Sequence, residues 1–143
     1  MSIEPNAALQ ALAVMLREEG TPISRHVVEP SGEPTFGLLA AAGPAAAADP
    51  GEYALVVEAV REGYLLHYGE SRLLAGQDTD LSLLAGDYLY ALGLERLTAR
   101  SDDRAVAILS ELISSCAQLH AEDRAASVPA LWDEAARSIG SLS

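Results

Sequence analysis

His67 is the first residue whose type and neighbours are suited to chemistry. Tyr64 and Glu70 lie three residues before and after it, so on a helix all three would share one face. A histidine beside a carboxylate can orient a general base or hold one side of a metal site. The simpler interpretation is a histidine hydrogen-bonded inside a helix interface, and from the residues alone we favour it.

Cys116 and His120 form a second pair of ligand-type residues, one helical turn apart. This spacing supplies half of a zinc site, which needs two more ligands. The remaining histidine, His26, has no paired ligand near it in the sequence. We therefore interpret the pair as part of a core and interface face, which is predicted to contain Val106, Leu109, Ile113, Cys116 and His120.

Asp87 is the most informative polar residue, because it lies in the middle of the most apolar predicted helix. A carboxylate there must be hydrogen-bonded or face a cavity. We predict that Asp87 is buried or half-buried and bonded to His67 or Tyr64 on the preceding helix. Gly86 and Gly93 lie seven residues apart on one face, which predicts a close crossing with another helix.

The apolar periodicity predicts an all-α fold of five to seven helices, since no segment alternates with a period of two. One stretch, residues 23–28, is compatible with either a short helix or an extended segment. The helix at 81–99 is apolar on most sides, which predicts a central position and a chain that is not a monomer. The predicted helices are about 5–19, 35–42, 53–74, 81–99, 101–122 and a last one that opens at Pro129.

Acidic pairs at two predicted helix starts resemble Mg²⁺ ligands but are better explained as helix caps. Asp78 or Asp80 can cap the helix that begins at about residue 81. Ser101 is the predicted cap of the next helix, with Asp102 and Asp103 at the positive end of its dipole. Capping accounts for these carboxylates without a metal.

Composition narrows the function classes further. The chain has 143 residues, enough for one domain with one core, and a formal net charge of −12. Such an acidic chain repels phosphate backbones and anionic lipid. It contains no lysine, which excludes Schiff-base chemistry and a P-loop lysine. The chain has a single cysteine and no signal-peptide pattern at its start, which predicts a cytoplasmic protein. It also has no long apolar run, which predicts that it does not insert into a membrane.

The segment 84–89, Leu-Ala-Gly-Asp-Tyr-Leu, resembles a helix of the trans-polyprenyl diphosphate synthases. Those all-α enzymes use Mg²⁺ held by two Asp-rich motifs. The first motif, Asp-Asp-x-x-Asp, commonly follows a histidine on the preceding helix, and His67 matches that histidine. Tyr68, Gly69 and Arg72 stand where the three aspartates would be. The second motif would fall beyond Gly140.

A closer resemblance is to the small non-catalytic subunits (component 1) of heterodimeric heptaprenyl diphosphate synthases, which serve menaquinone side-chain synthesis. It covers about residues 50–125 and implies a helical bundle like a truncated isoprenoid-synthase fold. The implied organisation is a single domain over 1–143: an N-terminal helix and Pro/Ala-rich connector at 1–49, the synthase-like core at 50–125 and a C-terminal helix at 126–143. Four residues would then mark the remnant of an active-site cavity: Tyr64, His67, Glu70 and Asp87.

This resemblance implies a regulatory subunit without catalytic residues, metal or cofactor of its own. A separate catalytic polyprenyl diphosphate synthase subunit would hold the Mg²⁺ and both Asp-rich motifs. Two alternatives stay open at this point. One is a stand-alone homodimer that binds an isoprenoid or another apolar ligand, and the other is a small enzyme that uses His67, Glu70 and Asp87.

Overall fold

The computed structural model describes residues 2–142; the terminal residues Met1 and Ser143, with which the predicted domain begins and ends, lie outside them. Within this range the chain forms six α-helices and four short 3₁₀ turns, with no β-strand. The predicted all-α fold is confirmed. The helices are α1 (Ala8–Glu18), α2 (Thr35–Ala41), α3 (Pro50–Tyr68), α4 (Thr79–Ala99), α5 (Asp103–Ala121) and α6 (Val128–Gly140).

The N-terminal third follows the sequence pattern closely. A 3₁₀ turn at Pro5–Ala7 leads into α1, and Gly20 has a left-handed φ of +74° just past the helix end. The ambiguous stretch 23–28 contains both predicted forms. A 3₁₀ turn spans Ser24–His26, and Val27 then forms an isolated antiparallel bridge with Leu74.

Helix α3 differs from its predicted range at both ends. It starts at Pro50, whose fixed φ suits a first helical position, and it ends at Tyr68 rather than at Leu74. Gly69 leaves the helical conformation, and the Ser71 hydroxyl accepts hydrogen bonds from the backbone N–H groups of residues 73 and 74. The chain therefore turns back along α3 instead of extending it.

The central helix is α3, so the prediction that α4 is central is wrong. Twelve of the 19 residues of α3 are buried, against five of the 21 in α4. One side of α3 packs in a core with α5 and α6, through residues such as Val56 and Val60. Another side packs with α1 and α4, through residues such as Leu55 and Ala59. Apolar residues of α4, by contrast, extend to the surface.

Side-chain caps begin α4 and α5. Asp78 accepts a hydrogen bond from the backbone N–H of Leu81, as predicted. At α5 the cap is Asp102 rather than Ser101, because Ser101 has a left-handed φ of +61° that places it before the helix start. Burial alone would raise the pKa of Asp102, but hydrogen bonds from the Tyr53 hydroxyl and the Ala105 N–H hold that pKa below its ordinary value.

The core face of α5 is shifted by a fraction of a turn from the predicted one. Leu109 and Cys116 are buried as predicted, whereas Val106, Ile113 and His120 are only partly buried. The other fully buried positions of this helix are Ala105 and Leu112. Helix α6 begins at Val128, with Pro129 in its first turn, and buries Trp132 and Ile139.

Glycines let α3 and α4 approach closely, as the pair Gly86 and Gly93 predicts. A Cβ atom on Gly86 would lie 3.0 Å from the carbonyl oxygen of Gly63, and one on Gly63 would lie 2.9 Å from that of Gly86. Farther along the crossing, a Cβ on Gly93 would lie 2.7 Å from Val60 Cγ2. The crossing therefore has no room for side chains at these positions.

No helix within residues 2–142 has the length and apolarity needed to cross a bilayer.

We predict that Gly93→Ala destabilises the protein although alanine is the better helix former. The helix-propensity gain is about 1 kcal/mol. Overpacking against the buried Val60 costs about 1–3 kcal/mol, so a net loss is expected. Urea unfolding monitored by circular dichroism measures it, with Ser110→Ala at an exposed position of α5 as the control. A Gly93→Ala variant as stable as the unmodified chain, or more stable, would contradict the close crossing.

Candidate functional site

His67 and Asp87 meet across the α3–α4 crossing, as predicted. His67 Nε2 and Asp87 Oδ1 are 3.0 Å apart. The predicted burial of Asp87 is wrong, because its side chain is 70% exposed whereas that of His67 is 19% exposed. The reason is that α4 is peripheral at this point, so Asp87 reaches over the crossing from the solvent side. The pair is a half-exposed link between two helices.

Tyr90 and Gly86 position the His67 ring. The imidazole stacks nearly parallel to the Tyr90 ring, with centroids 5.3 Å apart and planes 4° apart. It also occupies the space where a Cβ of Gly86 would be. Burial raises the pKa of Tyr90, so its phenol stays protonated. The ring of His67 is thus fixed in place by its neighbours.

Tyr64 lies one turn before His67 but bonds to a different partner. Its hydroxyl is 2.8 Å from His120 Nε2 on α5. The His120 ring in turn stacks on Tyr68, with centroids 4.0 Å apart. Burial raises the pKa of Tyr64, and the nearby Cys116 raises it further, so this phenol is also neutral. Tyr64 therefore links α3 to α5 rather than to Asp87.

Glu70 does not join the other three predicted residues. It is exposed in the turn after α3, and within residues 2–142 it makes no hydrogen bond or ion pair, including none with His67 or Asp87. The structure thus brings His67 and Asp87 together, directs Tyr64 toward His120 and leaves Glu70 apart. The three-residue constellation that the small-enzyme alternative requires is not assembled.

Cys116 and His120 do not face a common ligand position. Cys116 is buried in the core, where burial raises the pKa of its thiol, while His120 is engaged by Tyr64 and Tyr68. In the described part of the chain, no three or more His, Cys, Asp or Glu residues are grouped closely enough to hold a metal ion.

Two fully buried carboxylates form a polar network that the sequence reasoning missed. Glu58 and Glu62, one turn apart on α3, have no exposed surface. Arg72 reaches back from the following turn and contacts both, with Nη1 2.6 Å from Glu58 Oε1 and Nε 3.0 Å from Glu62 Oε1. Buried charges need such pairing, because an unpaired ion in a low-dielectric interior is very costly.

The same network joins two other segments, α2 and the stretch before it, to α3 and the turn that follows it. The N–H of Gly37, on α2, donates to Glu58 Oε2 at 2.7 Å. The Ser71 hydroxyl donates to Glu62, and Arg72 donates to the backbone carbonyl of Glu33 at 3.1 Å. The network therefore holds α2, α3 and the segment before α2 together.

The sequence contains a pattern that predicts this network. Glu58 and Glu62 stand at i, i+4 within a helix that is otherwise largely apolar, and Arg72 is the first basic residue after that helix ends. Two acids on one face of a buried helix require a cation from elsewhere in the chain. The resemblance to the synthases aligns Arg72 with a motif aspartate and does not predict its pairing with these two glutamates.

No protein-family model, curated protein or solved structure matches this chain.

We predict that Asp87→Ala lowers the free energy of unfolding by less than about 1 kcal/mol, because a hydrogen bond made by a side chain that is 70% exposed competes with water. Urea unfolding at neutral pH measures the loss, with Asp80→Ala, an exposed first-turn carboxylate of the same helix, as the comparison. A loss well above 1 kcal/mol would mean that the pair is buried in solution.

Glu62→Ala, by contrast, is expected to cost about 3–5 kcal/mol, since it leaves part of the Arg72 charge unpaired in the interior. Glu70→Ala is the matched control, an exposed glutamate two residues before Arg72, and we expect it to unfold like the unmodified chain. Equal unfolding midpoints for the two variants would contradict the network.

Proposed function

We propose that this chain is the non-catalytic, regulatory subunit of a polyprenyl diphosphate synthase of the heptaprenyl type, serving menaquinone side-chain synthesis. The observation that carries the proposal lies at the end of α3. Tyr68, Gly69 and Arg72 stand where the resembled enzymes have their first three aspartates, and Arg72 is turned inward to Glu58 and Glu62. This helix end therefore offers no carboxylate cluster for Mg²⁺.

The chain's charge also supports a non-catalytic role beside a catalytic partner. Prenyl transfer needs metal ions or cations to stabilise the departing diphosphate. The chain has a net charge of −12, and the arginine that follows α3, Arg72, is already paired with two carboxylates. In this proposal the catalytic partner supplies Mg²⁺ and both Asp-rich motifs, and the complex works in the cytoplasm.

The surface proposed for the partner is the α4 face, defined by Leu83, Leu84, Asp87 and Ala91. All four residues are exposed, Leu84 by 59% and Leu83 by 41%. Two large exposed aliphatic side chains beside a fixed polar pair form the mixed surface typical of an interface. The partner would cover this face, and this chain would contribute part of the wall that limits product length.

The same face favours a second candidate function, a stand-alone homodimer. A second copy would cover the α4 face, with an isoprenoid or other apolar ligand between the subunits. The net charge of −12 on each copy opposes this pairing at low ionic strength. We therefore rank it below the heteromeric complex.

Co-expression with a full-length trans-polyprenyl diphosphate synthase from the same genome tests the proposal. We expect a stable complex in size-exclusion chromatography with light scattering. We also expect chain elongation from allylic and homoallylic diphosphates only when both proteins are present. Elongation by this chain alone would contradict the proposal. A dimer of the 15.0 kDa chain that does not bind the synthase would favour the second candidate.

Leu84→Glu tests the α4 face itself. A buried carboxylate without a partner should weaken the complex at least about tenfold, a loss of about 1.4 kcal/mol or more. Val14→Glu is the matched control, because Val14 is also an exposed aliphatic residue, at 47%, but on a different helix, α1. Equal loss of binding in both variants would mean that the α4 face is not the interface.

A further inference from the structure

A second apolar surface lies between α5 and α6, separate from the α4 face. It is an open groove of about 380 Å³. Its floor is made of partly buried or buried apolar side chains, and its two sides carry one glutamate each. The floor residues are Ile108, Leu112, Leu131 and Ala135, and the glutamates are Glu111 on α5 and Glu134 on α6.

The two helices that form this groove are held rigidly. Only six residues join α5 to α6, which makes them an antiparallel hairpin. At the far end, the Arg104 guanidinium donates to the carbonyl oxygens of Ser138 at 2.8 Å and Ile139 at 2.9 Å. These bonds close the hairpin at its open end and fix the separation of the helices. The groove is therefore preformed rather than a gap between loosely packed elements.

The charges on the two sides of the groove are not compensated. Within residues 2–142, neither Glu111 nor Glu134 forms an ion pair, and Glu111 accepts only a 3.4 Å hydrogen bond from the Ser115 hydroxyl. Elsewhere on the same hairpin, Asp133 is paired with Arg137 and Glu122 with Arg124. The apolar floor is thus bordered by two carboxylates, one on each helix, that lack a cationic partner in the described part of the chain.

We propose that this groove binds a cationic amphipathic helix of another protein. The apolar side of such a helix would cover the floor, and its Arg or Lys residues would pair with Glu111 and Glu134. Small residues at the groove, Ala107, Ser115 and Ser138, permit a close helix approach. The bound helix would complete a three-helix packing unit with α5 and α6.

The length of the groove suits a helix of several turns. From Ala107 to Ser115 it follows α5 for about 12 Å, at about 1.5 Å per residue. A second hollow of about 330 Å³ shares Ser115 and Leu131 with it and continues to Glu122. Together the two hollows follow about four turns of α5.

The acidic charge of the groove favours a cationic helix over an anionic ligand or a second copy of this chain. Prenyl diphosphates and fatty acids carry anionic heads, which the two glutamates repel. A second copy of this chain also carries a net charge of −12 and is a poor partner for an acidic groove. A cationic helix is attracted by the same residues. The inference does not rest on the proposed function, because the α4 face takes no part in it.

The test uses a fluorescently labelled 16-residue helical peptide with leucines along one side and arginines beside them. We expect saturable one-to-one binding in the micromolar range, together with NMR shifts of the backbone amides of Ile108, Leu131 and Ala135. A scrambled peptide of the same composition and a peptide with glutamate in place of arginine should each bind at least about tenfold more weakly. Equal binding of either control peptide would overturn the proposal, and so would the absence of binding.

Matched variants of the protein locate the binding. Ala107 lines the groove and Ala117 does not, and both are exposed on α5. Ala107→Arg should therefore weaken peptide binding at least about tenfold, while Ala117→Arg adds the same charge and should leave affinity within about twofold. Equal effects of the two variants would show that only the net charge attracts the peptide, and would overturn the proposal.

Glu111→Gln combined with Glu134→Gln tests the charge pairing. The double variant should bind the arginine peptide several-fold more weakly at low salt, and the difference should shrink as salt is added. Glu18→Gln, on α1, is the control and should change nothing. A concentration-dependent dimer that Ala107→Arg disrupts would instead assign the groove to a second copy and overturn the proposal.

Discussion

Two carboxylates with no exposed surface, Glu58 and Glu62, set the main constraint on this fold. They lie in the most buried helix of the described chain, so a cation must reach them there. Arg72 does so only because α3 ends at Tyr68 and the chain turns back. The return segment then pairs with the strand-like stretch before α2, where Val28 N–H donates to the carbonyl oxygen of Leu73. The end of α3, the ion network and the attachment of the N-terminal third therefore depend on one another.

The position of α3 explains why α4 and the α5–α6 hairpin keep open surfaces. Because α3 is covered from two sides, each surrounding helix contributes only part of its circumference to a core. On α4 this leaves Leu83 and Leu84 at the surface, and on the hairpin it leaves the groove floored by Ile108 and Leu131. Unpartnered apolar surfaces of this kind are typical of subunits and binding modules. The two surfaces lie on different helices, so each can take a partner of its own.

Local features were predictable from the sequence, whereas long-range ones were only partly so. Asp78 as a cap, Gly86 and Gly93 at a helix crossing and the bond between His67 and Asp87 all follow from spacing within one or two adjacent helices. The exposure of Asp87 and the central position of α3 depend on which helix the others surround, and apolar content alone does not specify this. Arg72 was missed because its partners are defined by a turn that local periodicity does not reveal.

We propose that this chain acts by presenting α4 to a catalytic synthase. Hydrogen–deuterium exchange, measured on this chain with and without the full-length synthase of the same genome, tests it most directly. With the synthase present, we predict slower exchange in peptides covering residues 83–91 and unchanged exchange in α1. Unchanged exchange at 83–91 in a complex that has formed, or protection confined to α1, would contradict it.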